Sequence, residues 1–104
     1  MTVFSNRAQC YLNLRKYKLA EEDASKALFF DNTHIKSLNR RGEACFYLSK
    51  LGESKEDFEA ALLLEPDNLK LKEWVVKTEK KISQAKKELL ENMGRKIPDT
   101  LIQG

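Results

Sequence analysis

The sequence repeats with a period of 34 residues, and this repetition limits the folds that the chain can adopt. Displacing the chain by that distance aligns NRAQCYLNLRKYKLAEEDASKAL with RRGEACFYLSKLGESKEDFEAAL. Seven aligned positions are identical, whereas ordinary residue frequencies give about two by chance. A period of this length indicates one supersecondary unit used twice. The identical pairs are Arg7/Arg41, Leu14/Leu48, Lys16/Lys50, Glu22/Glu56, Asp23/Asp57, Ala27/Ala61 and Leu28/Leu62.

The first unit is predicted to contain two helices joined by a basic turn at Arg15-Lys16. Apolar residues recur with a helical period on both sides of that turn. Small side chains at Ala20 and Ala27 allow the second helix to pack closely against its neighbours. Residues 31–33, Asp-Asn-Thr, break this helix and offer capping side chains for the next one.

The second unit is predicted to repeat this arrangement, with helices over about 33–48 and 55–64. Gly52 marks the turn between them, because glycine commonly ends a helix. Ser54 and Asp57 lie three residues apart, like the two members of a capping box. The two units therefore form two helix–turn–helix repeats.

A long fifth helix is predicted after residues 66–68, Pro-Asp-Asn, with no stop signal before Gly94. Trp74 lies near its start, where the helix covers the end of the stack, and its distal half projects into solvent. We expect a capping helix over about 68–93 and a tail over 94–104. The seam facing the stack comprises Leu71, Val75, Thr78, Ile82, Ala85 and Leu89.

Composition excludes several classes of function. Hydrophobic residues make up 41% and charged residues 34% of the chain, which suits an elongated helical array. No run of about 18 apolar residues is present, so no membrane span is expected. The N-terminus lacks the pattern of a signal peptide, and the expected compartment is the cytoplasm. A net charge of +3, with basic and acidic residues interspersed, disfavours nucleic-acid binding.

Cys10, Cys45 and His34 are the only cysteine and histidine residues. They are too few for a structural metal site, which needs about four such ligands. Both cysteines are predicted to be reduced and buried. A catalytic Cys–His pair is the alternative, but no segment resembles a nucleophile motif. We therefore predict no catalytic residues, no metal and no cofactor.

The period and the residue pattern resemble the tetratricopeptide repeat. This resemblance covers residues 1–93, with repeats at about 1–34 and 35–68. It implies an all-α fold, a right-handed α-solenoid of two repeats plus a long C-terminal capping helix. The pattern departs at Asn32, where the family prefers proline. The matching positions are Phe4, Ala8, Tyr11, Ala20 and Ala27 in the first unit and Leu38, Gly42, Phe58, Ala61 and Pro66 in the second.

The segments FSNRAQCYL and KSLNRRGEA resemble the chaperone-binding branch of that family. In that branch a two-carboxylate clamp grips the Glu-Glu-Val-Asp tail of cytosolic heat-shock chaperones. The resemblance implies that Asn6, Lys36 and Arg40 belong to such a clamp. The other two members, a lysine and an asparagine, come from a preceding repeat that is not in this sequence.

The chemistry of these three side chains suits an acidic chain end. The first helices of consecutive repeats line one concave surface, so Asn6 and the Lys36–Arg40 pair can converge on one ligand. Lysine supplies a point charge, arginine a planar fork, and asparagine both a donor and an acceptor. Glu43 disfavours an acidic ligand that extends past it. Secondary peptide contacts are expected from Gln9, Asn13, Asn39 and Lys70.

We therefore predict the protein-interaction module of a co-chaperone, whose partner is the C-terminal peptide of a ninety- or seventy-kilodalton heat-shock chaperone. One alternative is that Lys36 and Arg40 are an ordinary solvated face and the chain is a scaffold on a folded partner. Another is a regulatory fragment of a larger prolyl isomerase, phosphatase or ubiquitin ligase. The basic fifth helix resembles a calmodulin target only weakly, and self-association through it is a further option.

Overall fold

Five α-helices form the part of the chain that the structure, a computed structural model, describes, which is residues 2–96, with side chains to residue 93. The predicted all-α class is confirmed. The fifth helix continues past Gly94, where the sequence predicts its end, and the tail residues 97–104 lie outside the described part. The helices are α1 (Thr2–Asn13), α2 (Tyr17–Phe30), α3 (Ile35–Tyr47), α4 (Leu51–Leu64) and α5 (Leu69–Lys96).

Each helix packs on the next one in the chain, and α1 also packs on α3. The first helices of the two repeats are therefore neighbours, as expected for a stack of helical hairpins. The molecule is elongated, with principal extents of 58 × 29 × 21 Å. Within residues 2–96, no helix is long and apolar enough to cross a membrane.

The turn inside each repeat is made by a residue in the left-handed region, Arg15 at φ 60° and Ser49 at φ 63°. The amide of the following lysine donates to a carbonyl five residues back, with both N–O distances at 2.8 Å. This is the Schellman ending of a helix, formed here without glycine. The prediction that Gly52 marks the second turn is wrong, because Ser49 makes that turn and Gly52 is the second residue of α4.

One arginine–aspartate ion pair recurs in both repeats. The Nε and Nη2 atoms of Arg7 bind the Asp23 carboxylate at 2.6 and 3.0 Å. Arg41, 34 residues later, binds Asp57 in the same way, with both distances at 2.9 Å. Both aspartates are buried. These identical sequence pairs therefore hold the first helix of each repeat to its second helix.

Close packing of α3 on α4 depends on Gly42. A Cβ atom at this position would lie 2.9 Å from the ring of the fully buried Phe58, closer than a side chain can approach. Ser54 lies inside α4, and its hydroxyl donates to the Gly42 carbonyl at 2.7 Å. The predicted capping box of Ser54 and Asp57 is therefore wrong, since both side chains bond to α3 instead.

The connection between the repeats also differs from the prediction. The Asp31 carboxylate accepts hydrogen bonds from the amide and hydroxyl of Thr33, which closes a local turn. The residue before α3 is His34, and it forms no side-chain cap with the helix backbone. Residues 31–33 thus end α2 without capping α3.

Helix α5 covers the end of the stack, as predicted. Its start is capped by Asn68, whose side-chain oxygen accepts the Leu71 amide at 3.1 Å. The Trp74 ring stacks on Phe58 with centroids 4.9 Å apart and meets Phe46 edge-on at 5.4 Å. From residue 83 to residue 93 every side chain is exposed, so the distal half projects into solvent.

Candidate functional site

The candidate site is the surface formed by α1 and α3, here called the groove, and Arg40 is one of the side chains that link these two helices. Its Nη1 atom donates to the carbonyl and to the hydroxyl of Ser5, both at 2.7 Å. Its Nε atom donates to the Gln9 amide oxygen at 3.3 Å. The predicted cation of α3 therefore reaches across to the predicted polar face of α1.

The other two predicted clamp residues lie on the same pair of helices. Lys36 is one turn before Arg40 on α3, and Asn6 follows Ser5 on α1. Both residues are exposed. Within residues 2–93, neither Lys36 nor Arg40 forms an ion pair with a carboxylate. These two cations of α3 therefore have no acidic partner among the described side chains.

The four residues predicted to make secondary peptide contacts differ in whether their polar groups are accessible to a ligand. Gln9 and Asn13 are hydrogen-bonded to each other on α1, with Nε2 and Oδ1 2.9 Å apart. Asn39 has a buried Oδ1 atom without a partner among the described residues, so this oxygen does not face solvent. Lys70 is exposed in the first turn of α5. Gln9, Asn13 and Lys70 thus remain candidates for contact with a peptide.

The Nη2 group is the part of the Arg40 guanidinium that has no partner among the described residues. An arginine has five N–H donors, and three of those in Arg40 are engaged by Ser5 and Gln9. The Nη2 atom donates to no described residue. Burial lowers the pKa of Arg40, but a guanidinium stays charged at neutral pH because its ordinary pKa lies far above neutrality. The Nη2 group is therefore a permanent cationic donor.

Glu43 is an acidic residue of α3 that lies near Lys70 and Lys77. Burial raises the pKa of this carboxyl, and the charges of Lys70 and Lys77 partly offset that rise. The three side chains are therefore close enough to interact electrostatically. An acidic ligand is attracted by the two lysines and repelled by Glu43 when the latter is ionised.

The aromatic residues beside the groove mainly serve packing. Phe46 is buried, and the ammonium groups of Lys77 and Lys81 lie 5.2 and 4.4 Å from the centre of its ring. Tyr47 stacks on Tyr17 with centroids 4.7 Å apart. Of the two readings of Phe46 and Tyr47 that the sequence allows, packing and a pocket for an apolar ligand residue, these contacts favour packing.

A second polar cluster, centred on Glu21, joins the two repeats and was missed by the sequence analysis. The Glu21 carboxylate accepts hydrogen bonds from Lys50 at 2.9 Å, Lys18 at 3.3 Å and the Cys45 thiol at 3.5 Å. Burial and the Glu21 charge raise the pKa of Cys45 to about 12, so its thiol stays protonated. Glu21 and Lys50 are far apart in sequence, and no local pattern indicates their pairing.

This cluster does not favour metal binding or catalysis. Oxygen and sulfur atoms of Glu21, Cys45 and Glu53 lie within 4.8 Å of one another. However, Lys50 neutralises Glu21, and a protonated thiol is a poor metal ligand and nucleophile. Cys45 is buried and free as predicted, whereas the prediction for Cys10 is wrong, because that free cysteine is exposed on α1.

Comparison with known proteins identifies relatives of this chain. The tetratricopeptide repeat family model matches residues 2–33 and 35–68. RNA polymerase II-associated protein 3 of Homo sapiens is 45% identical over 81 residues, which are 78% of this chain and 12% of that protein. Translocon at the outer membrane of chloroplasts 64 of Pisum sativum is 48% identical over 67 residues, 64% of this chain and 11% of that protein.

Two solved structures share the fold. The first TPR of Spaghetti (RPAP3), bound to the HSP90 peptide SRMEEVD, has a TM-score of 0.77 and 35% identity, covering 79% of this chain and 65% of that one. The second TPR domain of human RPAP3, in complex with the HSP70 peptide SGPTIEEVD, has a TM-score of 0.72 and 41% identity, covering 75% and 65%. The predicted resemblance to tetratricopeptide domains that bind chaperone tails is confirmed.

Proposed function

This chain belongs to the tetratricopeptide-repeat family, and from that premise we propose that it is the peptide-binding module of a co-chaperone. Its ligand is the acidic C-terminal Glu-Glu-Val-Asp tail of a heat-shock chaperone of the ninety- or seventy-kilodalton class. The observation that carries this proposal is the guanidinium of Arg40, which lies between α1 and α3 with a free Nη2 group and no carboxylate partner among the described residues. Similarity to domains bound to two such peptides supports it.

Binding rests on three side chains with different roles. Lys36 and Arg40 attract and hold the carboxylates of the terminal aspartate, and Asn6 fixes the register of the peptide main chain. A charge-assisted hydrogen bond in a partly desolvated groove contributes about 1.5–3 kcal/mol. Gln9, Asn13 and Lys70 extend the contact surface towards residues upstream in the peptide.

The same proposal covers the organisation and setting of the chain. Residues 1–93 act as one module, with repeats at about 1–34 and 35–68 and a capping helix that follows them. The module works by binding rather than by catalysis, and its compartment is the cytoplasm, where chaperones with this tail reside. The activity and partners of any longer protein that carries this module are determined by its other domains.

A titration with the peptide SRMEEVD tests the proposal. Three forms are compared: the free acid, the amidated form and a form with asparagine in place of the terminal aspartate. The free acid is expected to bind, and each modified form is expected to bind about 10- to 100-fold more weakly because one carboxylate is lost. Added salt is expected to weaken binding of the free acid.

Two variants and one matched control locate the binding. Lys36→Ala and Arg40→Glu are expected to weaken binding of the free acid at least about tenfold. Lys55→Ala removes a lysine from α4, outside the groove, and is expected to leave the affinity unchanged. Equal affinity for all three peptide forms would contradict the proposal.

A scaffold that packs on a folded partner is the second candidate function, and one observation favours it. Large apolar side chains are exposed at equivalent positions of the two repeats, Phe29 at 86% and Leu63 at 84%. If the chain is such a scaffold, the charged groove does not bind a peptide terminus. Equal affinity for all three peptide forms, or for none, is the result expected from this candidate.

A further inference from the structure

We propose that Ser5 and Ser37 are positioning residues, which hold the Arg40 guanidinium so that its Nε–Nη2 edge can bind a peptide carboxylate. This inference rests on the proposed function, because it concerns how the same groove presents its arginine. It assigns a role to two side chains that the clamp pattern does not include.

The two serines form a buried hydrogen-bond chain at the contact between α1 and α3. Ser5 and Ser37 are 1% and 0% exposed. The Ser37 hydroxyl donates to the Ser5 hydroxyl at 3.0 Å, and the Nδ1 atom of His34 lies 2.7 Å from the Ser37 oxygen. The Ser5 oxygen also accepts one N–H of Arg40. The chain thus runs from His34, just before α3, to the guanidinium.

Ser5 determines which donors of Arg40 remain free. Both N–H groups of Nη1 are used by Ser5, one by its carbonyl and one by its hydroxyl. The edge formed by Nε and Nη2 therefore points away from this anchor. Arg7 and Arg41 use that same edge to hold Asp23 and Asp57. A carboxylate of the peptide can bind Arg40 in the geometry that this protein already uses twice.

Gln9 occupies part of this edge in the absence of a ligand. Its amide oxygen lies 3.3 Å from Nε of Arg40, which is longer than either distance in the Arg41–Asp57 pair. A neutral amide is a weaker acceptor than a carboxylate. The peptide therefore displaces Gln9, whereas the shorter bonds to Ser5 stay in place.

The serine pair is not a by-product of the repeat. One period of 34 residues after Ser5 comes Asn39, and one period before Ser37 comes Val3. The Asn39 oxygen is buried without a partner among the described residues. Two buried hydroxyls at these positions therefore serve the contact between α1 and α3 in particular, where Arg40 lies.

A double-mutant cycle tests this inference with the full chain and the free-acid peptide SRMEEVD. Ser5→Ala is expected to weaken binding about 3- to 10-fold, the loss of one hydrogen bond that orders a charged group. In the Arg40→Lys background the same substitution is expected to change affinity less than about twofold, because a rotatable ammonium needs no planar anchor. Ser37→Ala is expected to act in the same direction and more weakly.

Ser54→Ala is the matched control, since Ser54 is also fully buried and also bonds to α3, but outside the groove. It is expected to lower the stability and leave the affinity unchanged. A merely structural role of Ser5 would weaken binding equally in both Arg40 backgrounds, and that result would overturn the inference.

A measurement without ligand separates this inference from the proposed function. In nuclear magnetic resonance spectra of the free chain, the Nε–H group of Arg40 is expected to be ordered, and to become disordered in Ser5→Ala. An unchanged Nε–H signal in that variant overturns the positioning role, whatever the peptide does. If Arg40 is ordered in the wild-type chain but this chain binds the three peptide forms with equal affinity, only the proposed function is overturned.

Discussion

Glu21 is the residue whose ionisation couples the two repeats. It lies on α2 of the first repeat, and its strongest partner is Lys50, in the turn before α4 of the second repeat. Burial alone would raise the pKa of this carboxyl, but hydrogen bonds from Lys50, Lys18 and Cys45 lower it below its ordinary value. Because the folded-state pKa is lowered, Glu21 stabilises the fold at neutral pH and loses this effect as the pH falls through that lowered value.

Replacing Glu21 should therefore make stability less dependent on pH. Glu21→Gln is expected to lower the free energy of unfolding at pH 7 by about 1–3 kcal/mol, since Lys50 loses its partner. It is also expected to flatten the decline of stability as the pH falls below the ordinary carboxyl pKa of 4.5 towards the lowered folded value. Urea denaturation across this range measures both effects.

Glu22→Gln provides the control for Glu21→Gln, because Glu22 is the exposed neighbour on the same helix. Its stability and pH profile are expected to match those of the unaltered chain. A Glu21→Gln profile parallel to that of the unaltered chain would show that this carboxyl does not couple the repeats.

Among the residues that end the helices, the two in the left-handed conformation have the largest expected effect on stability. Arg15 and Ser49 occupy equivalent positions and adopt nearly the same φ, 60° and 63°. A residue with a Cβ atom is destabilised in this conformation by about 1–2 kcal/mol relative to the right-handed region. Glycine adopts it at little steric cost, so both turns carry strain that a substitution can remove.

Ser49→Gly is expected to raise the free energy of unfolding by about 1 kcal/mol. Gly52→Ala is expected to raise it as well, by about 0.5–1 kcal/mol, because Gly52 lies inside α4 and an added Cβ meets nothing within 4 Å. Thermal unfolding of the two variants tests the location of the turn. If neither substitution stabilises the fold, or if Gly52→Ala destabilises it, the turn lies at Gly52 instead.

The sequence predicted the number and order of the helices correctly because the 34-residue period and the apolar spacing carry that information. It misplaced the start of α4 by four residues, from about 55 to Leu51. The reason is that glycine is the usual turn signal in a sequence, whereas in this protein Ser49 adopts the left-handed conformation. The contacts of Arg40 with Ser5 and of Glu21 with Lys50 join separate helices, and no local pattern indicates such contacts.

The whole molecule is a short stack with an extended end. Its long dimension, 58 Å, includes the distal half of α5, where Leu89 and Leu90 are 60% and 67% exposed. The last side chain of the predicted seam that is not exposed is Ile82. The stack therefore contains the contacts that fold the molecule, and the end of α5 adds few of them.

Ending the chain after Lys86 is therefore expected to change the free energy of unfolding by less than about 1 kcal/mol, because the described side chains that this removes, those of residues 87–93, are exposed. Urea denaturation at several protein concentrations measures this. A larger loss that grows with protein concentration would mean that the end of α5 packs on a second copy of the chain.

The central claim is that an acidic chain end binds in the groove between α1 and α3, against Asn6, Lys36 and Arg40. Chemical-shift mapping by nuclear magnetic resonance during titration with free-acid SRMEEVD tests it most directly. The account predicts the largest shifts at these residues, including the Nε–H group of Arg40, and none around Phe29 and Leu63. Shifts centred on Phe29 and Leu63, with the groove unaffected, would contradict it.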